Sequence, residues 1–201
     1  MSMWIRVVPA AAGALTLAAV LTGCNGSGGS VTDNGGSSSA PAPVKDKTSY
    51  RLGEPSPPQE GMTTTTADSR YTVTPTKVQM GTEADVENSG LDTTQLPGPR
   101  VPVYVWSTLT HKSGKTAVKV DEMDNNLVIR TDRGDRTKAL FVLMGDATWP
   151  NCPAPDSEKE LSAGESAEIC TAFLITRGEK AAAVELTQGY SGEPLEWPLK
   201  G

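Results

Sequence analysis

From Arg70 onward, apolar side chains recur mostly at every second position, the spacing of strands that turn one face to a core. In RYTVTPTKVQM (70–80), Tyr71 and Val73 share a face, Pro75 interrupts, and Val78 and Met80 resume the pattern. RVPVYVWSTLTHKSG (100–114) sets Val101, Val103, Val105 and Leu109 on one side against Tyr104 and Trp106 on the other. NLVIRTDRGDRTKALFVLM (126–144) is two apolar runs around a Gly-centred turn, which is a hairpin signal. ESAEICTAFLIT (165–176) alternates Ile169, Thr171, Phe173 and Ile175 against Cys170, Ala172 and Leu174, and AAAVELTQGY (181–190) adds Val184 and Leu186. No stretch after residue 47 sustains an amphipathic helical period for three turns. Short strands divided by Gly, Pro, Asn and Asp clusters predict one all-β sandwich of about seven to eight strands over residues 48–201. Roughly 150 residues exceed the ~100 that a seven-stranded sandwich needs. The surplus falls in two long loops, MGTEADVENSGLDTTQLPGP (80–99) and GDATWPNCPAPDSEKELSAGE (145–165).

The first 47 residues obey a different pattern. Arg6 is the one charged side chain before Asp33, and Val7 to Leu21 is apolar or small throughout. A run of roughly 15 residues suits the core of an export signal and is too short for the roughly 20 of a membrane-spanning helix. It closes on Leu21-Thr22-Gly23-Cys24, which resembles the bacterial lipoprotein signal: Leu, a small residue, Gly or Ala, then Cys. That resemblance implies cleavage before Cys24 and a diacylglyceryl group on its thiol, enough acyl chain for stable anchoring. Residues 1–23 are thus expected to be a lipoprotein signal peptide. Residues 24–47, rich in Gly, Ser, Ala and Pro, are expected to be a disordered tether with a reach of order 25 to 30 Å. The predicted location is the outer face of the cell membrane, with the bilayer itself engaged through Cys24.

Charge narrows the partners. The chain carries a net −6, and all 24 acidic residues lie beyond residue 23. No Lys/Arg run and no basic stripe with interleaved aromatics occurs, so neither nucleic acid nor direct binding to membrane headgroups is expected. With Cys24 given to lipid, Cys152 and Cys170 remain, and an even pair in an exported protein most often forms a disulfide. The loop it closes, about 18 residues, is worth roughly 3 kcal/mol on the chain-entropy estimate. A two-cysteine metal site would need nearby histidine or C-x-x-C spacing, and neither is present.

Catalytic and metal chemistry find little support, and no cofactor is expected. His111 is the sole histidine, set before the turn that KSGK predicts and read as a solvated polar residue. There is no G-x-S-x-G and no free cysteine to pair with it. DEMD (121–124) is read as solvated surface, and it fails the EF-hand pattern because Met123 and Asn126 occupy positions 3 and 6. His111, Met123 and Met144 have spacings reminiscent of secreted β-sandwich copper chaperones, which keeps a copper-binding alternative open although the second histidine is missing. Arg133-Gly134-Asp135 lies in the hairpin turn, where such residues arise readily.

Among the aromatics, Trp106 is expected in the sandwich core, the competing reading being a stacking platform with Tyr104. Trp149 and Trp197, each beside a proline, are the candidate exposed binding aromatics. The competing reading has Trp149 plugging the sandwich end beneath the disulfide.

The combination of LTGC, a Ser/Gly tether, YVWSTLTHKSG, the Trp149-Pro150-x-Cys152 to Cys170 segment and a closing EPLEW resembles small actinobacterial lipoproteins related to the DUF4352, telokin-like group. What that resemblance implies is an immunoglobulin-like sandwich, tethered to the membrane, with no assigned activity and no catalytic residues to carry over. The expected function is a non-enzymatic binding module of the envelope that contacts a protein or wall polymer. An envelope hydrolase is the remaining alternative.

Overall fold

The computed structural model describes residues 47–140, 147–156, 158–189 and 192–200. A compact unit runs from Lys45 to Gly201. Its strands are β1 (Gln59–Glu60), β2 (Arg70–Met80), β3 (Arg100–Ser113), β4 (Val118–Lys119), β5 (Leu127–Thr131), β6 (Arg136–Lys138), β7 (Glu160–Leu161), β8 (Ser166–Thr176), β9 (Ala181–Leu186) and β10 (Leu195–Pro198). Two five-residue helices, α1 (Glu83–Glu87) and α2 (Val120–Asp124), interrupt them. One sheet has the order β1-β2-β3-β8, the other β10-β9-β5-β6, with β4 and β7 paired apart from both. All these pairings are antiparallel. The result is the all-β sandwich that the period-two pattern predicts.

The alternation of β3 settles both faces of the first sheet. Val103, Val105 and Leu109 are fully buried in the central core with Tyr71, Val73, Phe173, Ile129, Val184 and Leu186. Tyr104, on the opposite face, is also buried, so this face is not open to solvent. It is roofed by the two long loops: Val86 of α1, Trp149 and the Cys152–Cys170 disulfide form a second apolar cluster around Tyr104. The disulfide has an S–S length of 2.02 Å. It links the 147–156 segment to β8 at Cys170, the residue paired with Trp106. The surplus length therefore forms a lid of its own.

Pro75 does not end its strand. Proline has no N–H to give the ladder, and the register with β3 slips there: Pro75 pairs with Ser107, Lys77 pairs with Trp106, and Thr76 is left over as a bulge. The Thr76 hydroxyl donates to the Trp106 carbonyl at 3.2 Å. One extra residue reverses the facing, which is why the apolar positions change from odd (Tyr71, Val73) to even (Val78, Met80) without leaving the core side.

The outer face of the second sheet carries a charge cluster. Glu185 on β9 is fully buried and accepts from Arg130 Nε at 2.7 Å and Arg136 Nε at 2.6 Å. Burial alone would raise its carboxyl, but the two guanidiniums outweigh it and hold the group below the usual range. The β5–β6 turn places Gly134 at φ +88°, a left-handed geometry suited to glycine. In that turn Asp132 accepts from the Lys180 backbone N–H at 3.0 Å, so the turn is docked on the neighbouring strand connection.

Candidate functional site

The segment before β1 builds an unusual closure. Tyr50 N–H donates to Glu196 O, and Glu196 N–H donates to Thr48 O, both at 2.8 Å, with Ser49 bridged in parallel to Glu196. The chain then crosses to the other sheet, where Gly53 N–H donates to Pro75 O at 2.7 Å and Ser56 N–H to Val73 O at 2.9 Å. Residues 48–56 thus cover the backbone edges of β10 and β2 in turn, the edges most prone to unwanted pairing. Trp197 sits beneath this crossing, fully buried, its indole N–H donating to the Glu54 carbonyl at 2.8 Å and its ring 5.5 Å from that of Tyr50.

Where the crossing meets the ends of β2 and β10, a groove of ≈ 990 Å³ opens. Its apolar lining comes from Tyr50, Leu52, Val78, Met80, Ala181 and Leu199. Leu52 and Met80 are each 39% exposed and are two of the three large apolar side chains so exposed among the described residues. Among the described residues, Arg51 and Lys200 are the charged side chains of the lining, and no Asp or Glu belongs to it. Nearby Glu54 pairs with Lys47, accepts from the Arg51 backbone N–H at 3.1 Å, and also feels the Arg51 charge. The Lys47 hydrogen bond, then that of the Arg51 backbone, keeps the Glu54 carboxyl below its ordinary value.

The aromatic candidates lie elsewhere than expected. Trp149 is 6% exposed and Trp197 0%, so neither presents a binding surface, and the reading of both as exposed anchors is corrected. Trp149 packs against Tyr104 with ring centroids 5.9 Å apart, plugging the outer cluster beside the disulfide. Proline neighbours suggested loops, but a loop folded back over a sheet buries its large side chains as effectively as a strand does. Trp106 changes place with Trp197: it is half-buried on the outer face with Lys77 Nζ 4.1 Å above its ring.

His111 is also corrected. It is fully buried on the core side of β3, with Nδ1 2.8 Å from Leu161 O and Nε2 2.8 Å from Ser113 O. Carbonyl oxygens only accept, so whichever ring nitrogen carries the proton donates to the carbonyl it faces. Met123 is fully buried in the core, Met144 lies outside the described residues, and Cys24 does too. Among the described residues no three His, Cys, Asp or Glu side chains gather as a metal site.

The DEMD segment is not solvated surface. It forms α2, in which Glu122 accepts from Thr66 Oγ1 and Met62 N, each at 2.6 Å. Asp124 is buried, and the Thr171 hydroxyl donates to it at 2.9 Å. Burial pushes the Asp124 carboxyl up to about 6, against an ordinary value of 3.8, despite that hydrogen bond. Burial also takes the Tyr71 hydroxyl up to about 12, with Glu122 and Asp124 adding to the rise. A carboxyl that titrates higher folded than unfolded holds more protons in the native state across this interval. Stability should therefore fall as pH rises from about 4 to 6, and ionised Asp124 should cost on the order of 3 kcal/mol above that window. Asp124→Asn retains an acceptor for Thr171. It should raise the melting temperature at pH 7.5 and flatten its pH dependence between 4 and 6.5; an unchanged pH profile would contradict the assignment.

The fold has a solved counterpart. It is similar to that of MPT63, a secreted protein from Mycobacterium tuberculosis known from a 1.5 Å crystal structure, with a TM-score of 0.50 and 17% sequence identity over 76% of this chain and 98% of that one. At this identity the likeness bears on the fold. No protein-family model matches the sequence, the DUF4352 group included, and no curated protein matches it.

Proposed function

We propose that this chain is a non-enzymatic, extracytoplasmic binding module, anchored to the outer face of a membrane through lipidated Cys24, and that the groove between Leu52 and Met80 receives its envelope partner. The observation that carries the reading is the pairing of two exposed large apolar side chains within one concave surface that, among the described residues, has no Asp or Glu in its lining. Single exposed apolar residues are ordinary, whereas apolar side chains gathered in a cleft mark ligand or partner sites. The titratable groups that burial raises, Asp124, Tyr71 and Tyr104, are buried and do not line the groove, which favours binding over catalysis. Anchoring is supported by the Leu21-Thr22-Gly23-Cys24 signature. About 25 residues separate Cys24 from the groove's first lining residue, Ser49. Among the described residues no helix is long and apolar enough to cross a membrane. The resemblance to actinobacterial lipoproteins of the DUF4352, telokin-like group points the same way.

Two measurements test the two halves of the proposal. Cys24→Ala should abolish incorporation of a fatty-acid analogue and release the protein or leave an uncut precursor; labelling that persists removes the anchor. A photo-crosslinking residue in place of Met80 should form a discrete adduct in intact cells, lost when Leu52→Asp is added. Failure to form any adduct there, with a positive control on the same protein expressed at equal level, removes the groove as the binding site.

A further inference from the structure

We infer that the groove takes one molecule of a long-chain amphiphile with an anionic head, its chain on the apolar floor and its carboxylate or phosphate between Arg51 and Lys200. The inference rests on the groove being the module's binding site and names the chemistry of what enters it.

Size comes first. A space of ≈ 990 Å³ is at the upper end of the ~300–1,000 Å³ of small-molecule sites, more than a compact ion or a single sugar needs. Polarity comes next. Leu52, Val78, Met80 and Leu199 offer flexible or branched apolar surface, and methionine adapts its shape to an irregular ligand. The Tyr50 hydroxyl is already committed, donating to Lys47 O at 2.7 Å. A ligand rich in hydroxyls would find few donors or acceptors here and would lose its water without replacement. A hydrocarbon chain gains from the same surface.

Charge supplies the head group. The chain as a whole is acidic, at −6, yet among the described residues the lining contains two cations and no acidic side chain. Neither Arg51 nor Lys200 forms a side-chain ion pair among the described residues. An arginine fork matches carboxylate and phosphate oxygens, and a lysine supplies a second, mobile donor. The site is concave, which suits one inserted molecule rather than the flat surface of a bilayer.

The test uses the full chain and monomeric probes below their micellar concentration. Dansylundecanoic acid should gain emission on binding, and palmitate or hexadecyl phosphate should displace it. Hexadecanol should compete about tenfold less well, the equivalent of one charge-assisted contact. Leu52→Asp and Met80→Asp should each weaken the probe about tenfold or more by placing charge on the apolar floor. Both positions are exposed, and circular dichroism checks that the variants fold. Arg51→Gln should weaken palmitate and leave hexadecanol unchanged. The inference is overturned by probe binding that Leu52→Asp leaves intact, by equal losses of palmitate and hexadecanol in Arg51→Gln, or by binding to anionic phospholipid vesicles without uptake of the monomer. Absence of probe uptake alongside a protein adduct at position 80 overturns the amphiphile and leaves the groove as a binding site; absence of both removes the two together.

Discussion

Trp197→Ala should destabilise the domain by about 3 to 5 kcal/mol, the range for deleting a large buried aromatic. At roughly 2–4 °C per kcal/mol for a protein of this size, the melting temperature should drop by roughly 6–20 °C. The reason is local and specific. Trp197 has no exposed surface, and its indole N–H is the donor that meets the Glu54 carbonyl at 2.8 Å. Its loss leaves a cavity under the Thr48–Ser56 crossing and removes a tie between β10 and the segment that also pairs with β2. Trp197→Phe separates the two contributions. It keeps much of the packing and loses the donor, so it should cost about 1 to 3 kcal/mol. Thermal melts followed by circular dichroism decide the matter. A Trp197→Ala protein that melts like the parent would show that the crossing does not depend on this side chain.

Removal of the disulfide is the second large effect. Cys152→Ala with Cys170→Ala opens a loop with a sequence separation of 18, worth about 3 kcal/mol and therefore roughly 6–12 °C. The effect should be uneven across the molecule. The bond ties the Trp149-bearing segment to β8, and Trp149 closes over Tyr104 on the outer face of the sheet. The central core on the other face has its own fully buried residues and should persist longer. Acrylamide should then quench more tryptophan emission in the double variant at temperatures where far-ultraviolet dichroism is still native. The native protein, with Cys152 1% and Cys170 6% exposed, should yield no reactive thiol from this pair even after denaturation unless a reductant is added. Two thiols titrated without reductant would contradict the bond.

Strand identity was legible in the sequence because a strand's side-chain period is a local property. Val103, Val105 and Leu109 announce their shared face before any partner is known, and β8 does the same with Ile169, Phe173 and Ile175. The Cys152–Cys170 pairing was legible for a different reason: once Cys24 is read as the anchor, the two cysteines left have one intramolecular choice. Location was inferred from a short signal, LTGC, that is likewise local.

What only the tertiary structure decided is where a residue ends up relative to residues far away in the chain. Trp197 and Trp149 look alike in sequence, aromatic and next to proline, yet one closes the central core and the other the outer cluster. Burial depends on what folds over a side chain, and here the cover comes from residues 48–56 and from the long loops. His111 and Asp124 read as polar surface for the same reason: their hydrogen-bond partners, Leu161 and Thr171, lie about fifty residues on. The change of apolar parity across Pro75 was visible, but its meaning as a bulge required the β3 register. The groove was the least legible feature. Its floor joins residues 49–52, 78, 80, 181 and 198–200, each ordinary alone, and no local period links them all. Chain pattern determines which face of each element is apolar; only the packing of both sheets, with the crossing segment between them, determines which apolar side chains are left uncovered.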